Sequence, residues 1–116
     1  MTTLKNLKGT AIQFLDADPV VYAGSWASKA AMNTGRKALA GFGTATASIA
    51  ATGNAPATVN NVESWNGTAW SEVAEVNTAK FYRGNNGTAT AGLLVGGAPA
   101  TTDTEEWDGS SWTCLL

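Results

Sequence analysis

The phrase Ser64-Trp-Asn-Gly-Thr-Ala-Trp70 returns as Glu106-Trp-Asp-Gly-Ser-Ser-Trp112, and most of the chain around it repeats as well. Asn33-Thr34 matches Asn77-Thr78 and Gly43-Thr-Ala-Thr-Ala47 matches Gly87-Thr-Ala-Thr-Ala91, both at an offset of 44 residues. Ala55-Pro-Ala-Thr58 matches Ala98-Pro-Ala-Thr101 at 43, and Trp65 matches Trp107 at 42. A steady offset of this size marks a solenoid or propeller unit, which buries its faces only by stacking on a neighbour. The shrinking offset says that the second copy has lost two residues from the stretch corresponding to Gly53–Trp65. Length variation there points to a surface loop.

At 116 residues the chain is at most one ordinary domain, and two such units are few for closing a core, so something else must cover their ends. Only 14% of residues are charged and the net charge is −2, which provides no basic surface for nucleic acid. Much of the 44% hydrophobic content is alanine; with 13 glycines and many Thr and Ser residues it predicts a small-residue β protein. No apolar run approaches the roughly 20 residues that span a bilayer, and Met1–Lys8 lacks a signal peptide's apolar stretch. The expectation is a soluble chain without Sec export or membrane insertion. Cys114 is the single cysteine, so no intrachain disulfide exists; it is a free tail thiol or a site of intermolecular bridging. The absence of histidine removes the commonest general base and the commonest metal ligand, and neither a cofactor nor an enzymatic activity is expected.

Each copy predicts an antiparallel meander of four short strands. In the first, the expected strands are Arg36–Phe42, Ala47–Ala51, Asn61–Trp65 and Thr68–Val73, the last two joined at Asn66-Gly67, a strong hairpin signal. In the second, Lys80–Gly87 leads through a hairpin into Ala91–Val95, whose apolar run without alternation predicts a strand covered on both faces. Thr104–Trp107 and Ser110–Cys114 follow, with a turn at Asp108-Gly109. Small residues crowd the first strand of the first copy (Ala38, Ala40, Gly41) and tryptophans crowd the last two. That ordering suits a propeller, where inner strands converge on an axis and blades splay outward.

Arg36, the glycines after the second strand (Thr52-Gly53, Gly96-Gly97), an aromatic before Asn or Asp (Trp65-Asn66, Trp107-Asp108) and a Trp five residues on (Trp70, Trp112) together resemble the kelch repeat. The resemblance covers residues 32–116, with Trp in place of the family's Tyr, one double glycine altered to Thr-Gly, and the kelch-type arginine becoming Lys80 in the second copy. It implies an all-β chain of kelch-like β-propeller blades and leaves the activity open. The organisation it predicts is a partial N-terminal blade or capping strands at 1–31, a blade at 32–75 and a blade at 76–116. Met32–Arg36, Gly43–Ala47 and Trp65–Trp70 are also similar to kelch-like repeats of hypothetical and tail-associated proteins of marine bacteriophages, as is the opening Leu4–Phe14. That similarity implies a virion or host-recognition setting.

Within residues 1–31, Gly9–Leu15 offers a strand and Val20–Trp26 an aromatic hairpin, with Asp16-Ala-Asp-Pro19 read as a turn or, less simply, as a carboxylate pair touching a metal. The copper oxidases built on kelch-type propellers need His ligands, which are absent, and a sialidase-type site needs three arginines where the chain holds Arg36 and Arg83. Asn66-Gly-Thr68 and Asn86-Gly-Thr88 match glycosylation acceptors but read better as turns. Glu105 and Glu106 point to opposite faces of one strand and are expected to be ordinary exposed carboxylates.

The expected core is Trp65, Trp70, Trp107, Trp112, Ile49, Leu93, Leu94 and Val95. The expected ligand-binding residues lie on and beside the loops after each second strand: Arg36, Lys80, Asn60, Asn61 and Asp103. These readings favour a structural or adhesive module that presents loops to a partner, a phage structural protein or a host surface glycan. The alternative is a small lectin with sugar sites between blades. Exposure of Trp26, Tyr22 and Tyr82 bears on that choice. In either case the ring is expected to close by homo-oligomerisation, three chains being favoured over two.

Overall fold

The computed structural model describes residues 24–115, which form eight strands and no helix. They are β1 (Ala40–Gly43), β2 (Ser48–Ala51), β3 (Val62–Trp65), β4 (Trp70–Val73), β5 (Gly84–Thr88), β6 (Ala91–Val95), β7 (Thr104–Trp107) and β8 (Trp112–Leu115). The first four make one antiparallel sheet in chain order and the last four make another. Of the expected N-terminal elements, Gly9–Leu15, Asp16–Pro19 and the start of Val20–Trp26, including Tyr22, lie outside the described residues; Gly24–Ala31 form no strand.

Local chemistry sets the strand ends. The Asn66 Oδ1 accepts hydrogen bonds from the N–H groups of Thr68 (2.8 Å) and Ala69 (2.9 Å), and Gly67 takes a φ of 98° to close the turn. Asp108 does the same with Ser110 and Ser111, both at 2.8 Å, beside Gly109 at φ 100°. These turns fix the registers Trp65↔Trp70 and Trp107↔Trp112, so each tryptophan pair meets across its hairpin with ring centroids 5.3 and 5.1 Å apart. The first strand is shorter than expected: Ala38 has a φ of 58°, which turns the chain, and Lys37 makes only an isolated bridge to Asn54 before β1 begins at Ala40. The two-residue deletion falls where predicted, in the loop that spans 52–61 in the first copy and 96–103 in the second.

Because successive residues of a strand face opposite ways, the registers define two faces per sheet. In the first sheet the front carries Ala40, Phe42, Ile49, Ala51, Val62 and Val73; the back carries Ser48, Ala50, Glu63, Trp65, Trp70 and Glu72. In the second sheet the front carries Asn86, Leu93, Val95, Thr104, Glu106 and Leu115, and the back carries Gly92, Leu94, Glu105, Trp107, Trp112 and Cys114. The core is the front of the first sheet packed on the back of the second: Ala40, Phe42, Ile49, Ala51 and Val62 cluster with Leu94, Trp107 and Trp112, helped by Val76 from the connection. The sheets meet most closely along β1 and β5. Phe42 lies edge-on to Trp112 with centroids 6.4 Å apart and covers Gly92, where any side chain would overlap its ring.

Three of the expected core residues take other places or lesser cover. Ile49, Leu94, Trp65, Trp107 and Trp112 are buried, whereas Trp70 is half-buried on the first sheet's back. Leu93 and Val95 are 37% and 40% exposed, on the front of the second sheet. The apolar run Ala91–Val95 is therefore not covered on both faces; its burial alternates, and only the side toward the first sheet is enclosed. Glu105, expected to be exposed, is fully buried, while its neighbour Glu106 is exposed.

Candidate functional site

A buried carboxylate organises the loop end of each sheet. Glu63, on β3, accepts hydrogen bonds from the backbone N–H of Asn33 (2.7 Å) and Thr34 (3.1 Å) and pairs with Arg36 Nη2 at 3.0 Å. Glu105, on β7, accepts from the N–H groups of Asn77 (2.7 Å) and Thr78 (3.3 Å) and pairs with Arg83 Nη1 at 3.0 Å. All four charged side chains are wholly enclosed. A glutamate alone in such a place would be expensive; the guanidinium and two backbone donors replace its water. Each clamp pins the segment entering a sheet against that sheet's third strand, and Asn33 and Asn77 add bonds from Nδ2 to the carbonyls of Trp70 and Trp112.

The two clamps recruit their arginines from different positions. An offset of 44 pairs Arg36 with Lys80, as the kelch resemblance implies, and Leu39 with Arg83. In the fold it is Arg83 that reaches the second glutamate, while Lys80 Nζ stands 3.9 Å from Asp103 Oδ2. The arginine of the second copy is thus Arg83 and not Lys80. The reason is geometric: Ala38 and Tyr82 both turn the chain at positive φ, 58° and 55°, and residues on either side of that turn can each reach the same carboxylate with a long side chain.

All five expected ligand-binding residues come to one end of the two sheets. Arg36 Nη1 donates to the Asn61 carbonyl at 2.9 Å, Val76 N donates to the Asn60 carbonyl at 3.1 Å, and Asn61 Nδ2 reaches Glu72 Oε1 at 3.4 Å. Gly53 N donates to the Lys80 carbonyl at 3.0 Å, joining the first loop to the second sheet's entry segment. Their expected role changes, however. Arg36 adds no charge to the rim because its side chain is enclosed in the clamp, and Lys80, 7% exposed, is largely covered as well. Asp103 remains half-exposed and Tyr82, at 73%, stands out from this end. Tyr82 holds a backbone conformation rare for a bulky residue, and its N–H is bonded to the Ala38 carbonyl at 3.0 Å.

Sequence reasoning missed Glu63 altogether and misplaced Glu105. The available signal was an acid two residues before each repeated tryptophan, Glu63 before Trp65 and Glu105 before Trp107, which puts acid and tryptophan on one face of a strand.

A second feature lies on the back of the first sheet. Trp65, Trp70, Ser48 and Thr46 together with Trp26 and Lys29 line an open depression of about 640 Å³. Trp26 is fully exposed. Trp65 donates from Nε1 to the Ala45 carbonyl at 3.0 Å, as Trp107 does to Ala89 at 2.9 Å, so these indoles are held in place. Among the described residues no group of three or more Cys, Asp or Glu is placed to hold a metal ion, and no helix is long and apolar enough to cross a membrane. No protein-family model matches this sequence, and no curated protein matches it.

Proposed function

We propose that the chain is a non-enzymatic recognition module of kelch-like β-propeller type, its two sheets serving as blades that present the 54–61 and 98–103 loops to a partner. The observation that carries this reading is the pair of buried glutamate–arginine clamps, which hold two loops of different length and sequence at the same end of two equivalent sheets. Variable loops on a fixed scaffold are the usual form of a recognition surface. The stacking of one sheet's front on the next sheet's back, closest along β1 and β5, supports the blade assignment. Continued stacking closes a ring, and about three chains with two blades each would complete a six-bladed one. The similarity to phage tail-associated repeats favours a virion component facing a host surface glycan.

A lectin reading is favoured by one separate observation, the exposed Trp26 beside the Trp65–Trp70 depression, an aromatic platform suited to a sugar ring. An array of bacterial surface polysaccharides distinguishes the two. Exchange of the 54–61 and 98–103 segments abolishes binding if the rim is the recognition surface; Trp26→Ala abolishes it, with loop exchange silent, if the depression is.

A further inference from the structure

Resting on that reading, we propose that the front of the second sheet docks on the back of the first sheet of another copy of this chain, in the register the two sheets use within one chain. Leu93, Val95 and Leu115 are 37%, 40% and 40% exposed, and all three lie on that front. Each has a counterpart in the first sheet that is covered or partly covered by the second: Ile49 for Leu93, Ala51 for Val95 and Val73 for Leu115. The face is therefore built like one that is buried elsewhere in the same molecule.

Side-chain sizes trade between the two junctions. Inside the chain Phe42 on the front covers Gly92 on the back, where a side chain would overlap the ring. At the proposed junction the counterparts are Asn86 on the front and Ser48 on the back: the front residue has shrunk and the back residue has gained a side chain. A second exchange runs the opposite way, for Ala51 and Leu94 in the internal core correspond to Val95, 40% exposed on the second sheet's front, and to Ala50, 4% exposed on the first sheet's back. Compensation in both directions keeps the filled volume similar, as close packing requires. Two unrelated surfaces have no reason to compensate each other. Trp70 corresponds to Trp112, which Phe42 meets edge-on, and it lines the open depression on the back. The contact is heterologous, front to back, so copies add in one direction until the ring closes.

Light scattering of the full chain, Leu93→Lys and Ser48→Lys tests the docking. The parent is expected at about three chain masses, as ring closure requires. Each variant spoils one surface and leaves the other intact, so each alone is expected to be monomeric. Their equimolar mixture is expected at about two chain masses and no more, because one sound front meets one sound back. Circular dichroism confirms that the variants fold; should either fail, Asn86→Cys/Ser48→Cys in a Cys114→Ser background replaces them, and its oxidation is expected to link chains into closed rings. A monomeric parent, a mixture that stays monomeric, or cross-linking through Asn86→Cys alone overturns the proposal. Loop exchange reads the rim and not this junction. A monomer that binds polysaccharide through its loops refutes the docking and leaves the loop-presenting recognition role standing, and a ring indifferent to loop exchange does the reverse.

Discussion

The two sheets solve one problem with different residues, and the contrast shows what the repeat preserves. Both bury a glutamate on the third strand, both satisfy it with two backbone N–H groups from an Asn-Thr pair, and both add an arginine at 3.0 Å. The first takes that arginine from before the turn at Ala38, the second from after the turn at Tyr82. What recurs is a buried charge with its full set of donors, and the position supplying the cation is free to move because a long side chain reaches the carboxylate from either side. The tryptophans show the opposite pattern. Their positions repeat strictly, but Trp112 is 7% exposed under the first sheet whereas its counterpart Trp70 is half-buried, because among the described residues it is the second sheet's back that packs on another sheet.

The largest effect expected is from breaking a clamp. Glu105→Ala leaves Arg83 enclosed without its partner and strips the acceptor from Asn77 and Thr78, a loss of about 3–5 kcal/mol by urea denaturation. Arg83→Leu is expected to cost a similar amount, and Lys80→Arg added to it puts the arginine at the first clamp's position. Recovery of more than half the lost stability would establish that the two positions are interchangeable; no recovery would show that they are not.

Truncating the tryptophans gives the next contrast. Trp112→Ala removes the ring packed against Phe42 and the Nε1 bond to the Ala74 carbonyl at 3.2 Å, and is expected to cost about 3–5 kcal/mol. Trp70→Ala in a monomeric background should cost clearly less, since part of its surface already meets water. Equal losses in thermal denaturation would mean that the back of the first sheet is as well covered as that of the second.

The smallest effect separates the two hairpin turns. The Asp108 carboxyl sits below its ordinary 3.8 because the backbone N–H of Ser110, and then that of Ser111, donate to it. A depressed folded-state value means that its contribution to stability is complete above 3.8 and fades as pH falls through the lower folded value. Asn66 makes the equivalent bonds with no proton to gain. Asp108→Asn should therefore leave the melting temperature near pH 6 almost unchanged while slightly reducing its fall below pH 3.8. A melting curve with the same acid dependence as the parent would refute this account of the turn.

Much of the fold was legible in advance for local reasons. Asn66-Gly67 and Asp108-Gly109 announce their hairpins because an Asx oxygen and a glycine at positive φ complete such turns without tertiary help. The order of four strands per copy and the loop that absorbs the deletion followed from the repeat. The clamps were not legible in the same way: a charged residue on a four-residue strand is ordinarily solvated, and Glu105 differs from Glu106 only in the face that the register assigns it. Nor was the gathering of Arg36, Asn61, Lys80 and Asp103 at one end accompanied by the exposure that a charged rim needs.

By itself, then, the sequence determined the period, the turns, the pairing order within each sheet and the positions of the tryptophans, all of which depend on neighbours a few residues apart. Tertiary structure alone decided which face of each sheet is covered, which arginine joins which glutamate, and that Leu93 and Val95 are left at a free surface. Strand alternation offers two equivalent faces, and the choice between them is made by whichever neighbour packs there.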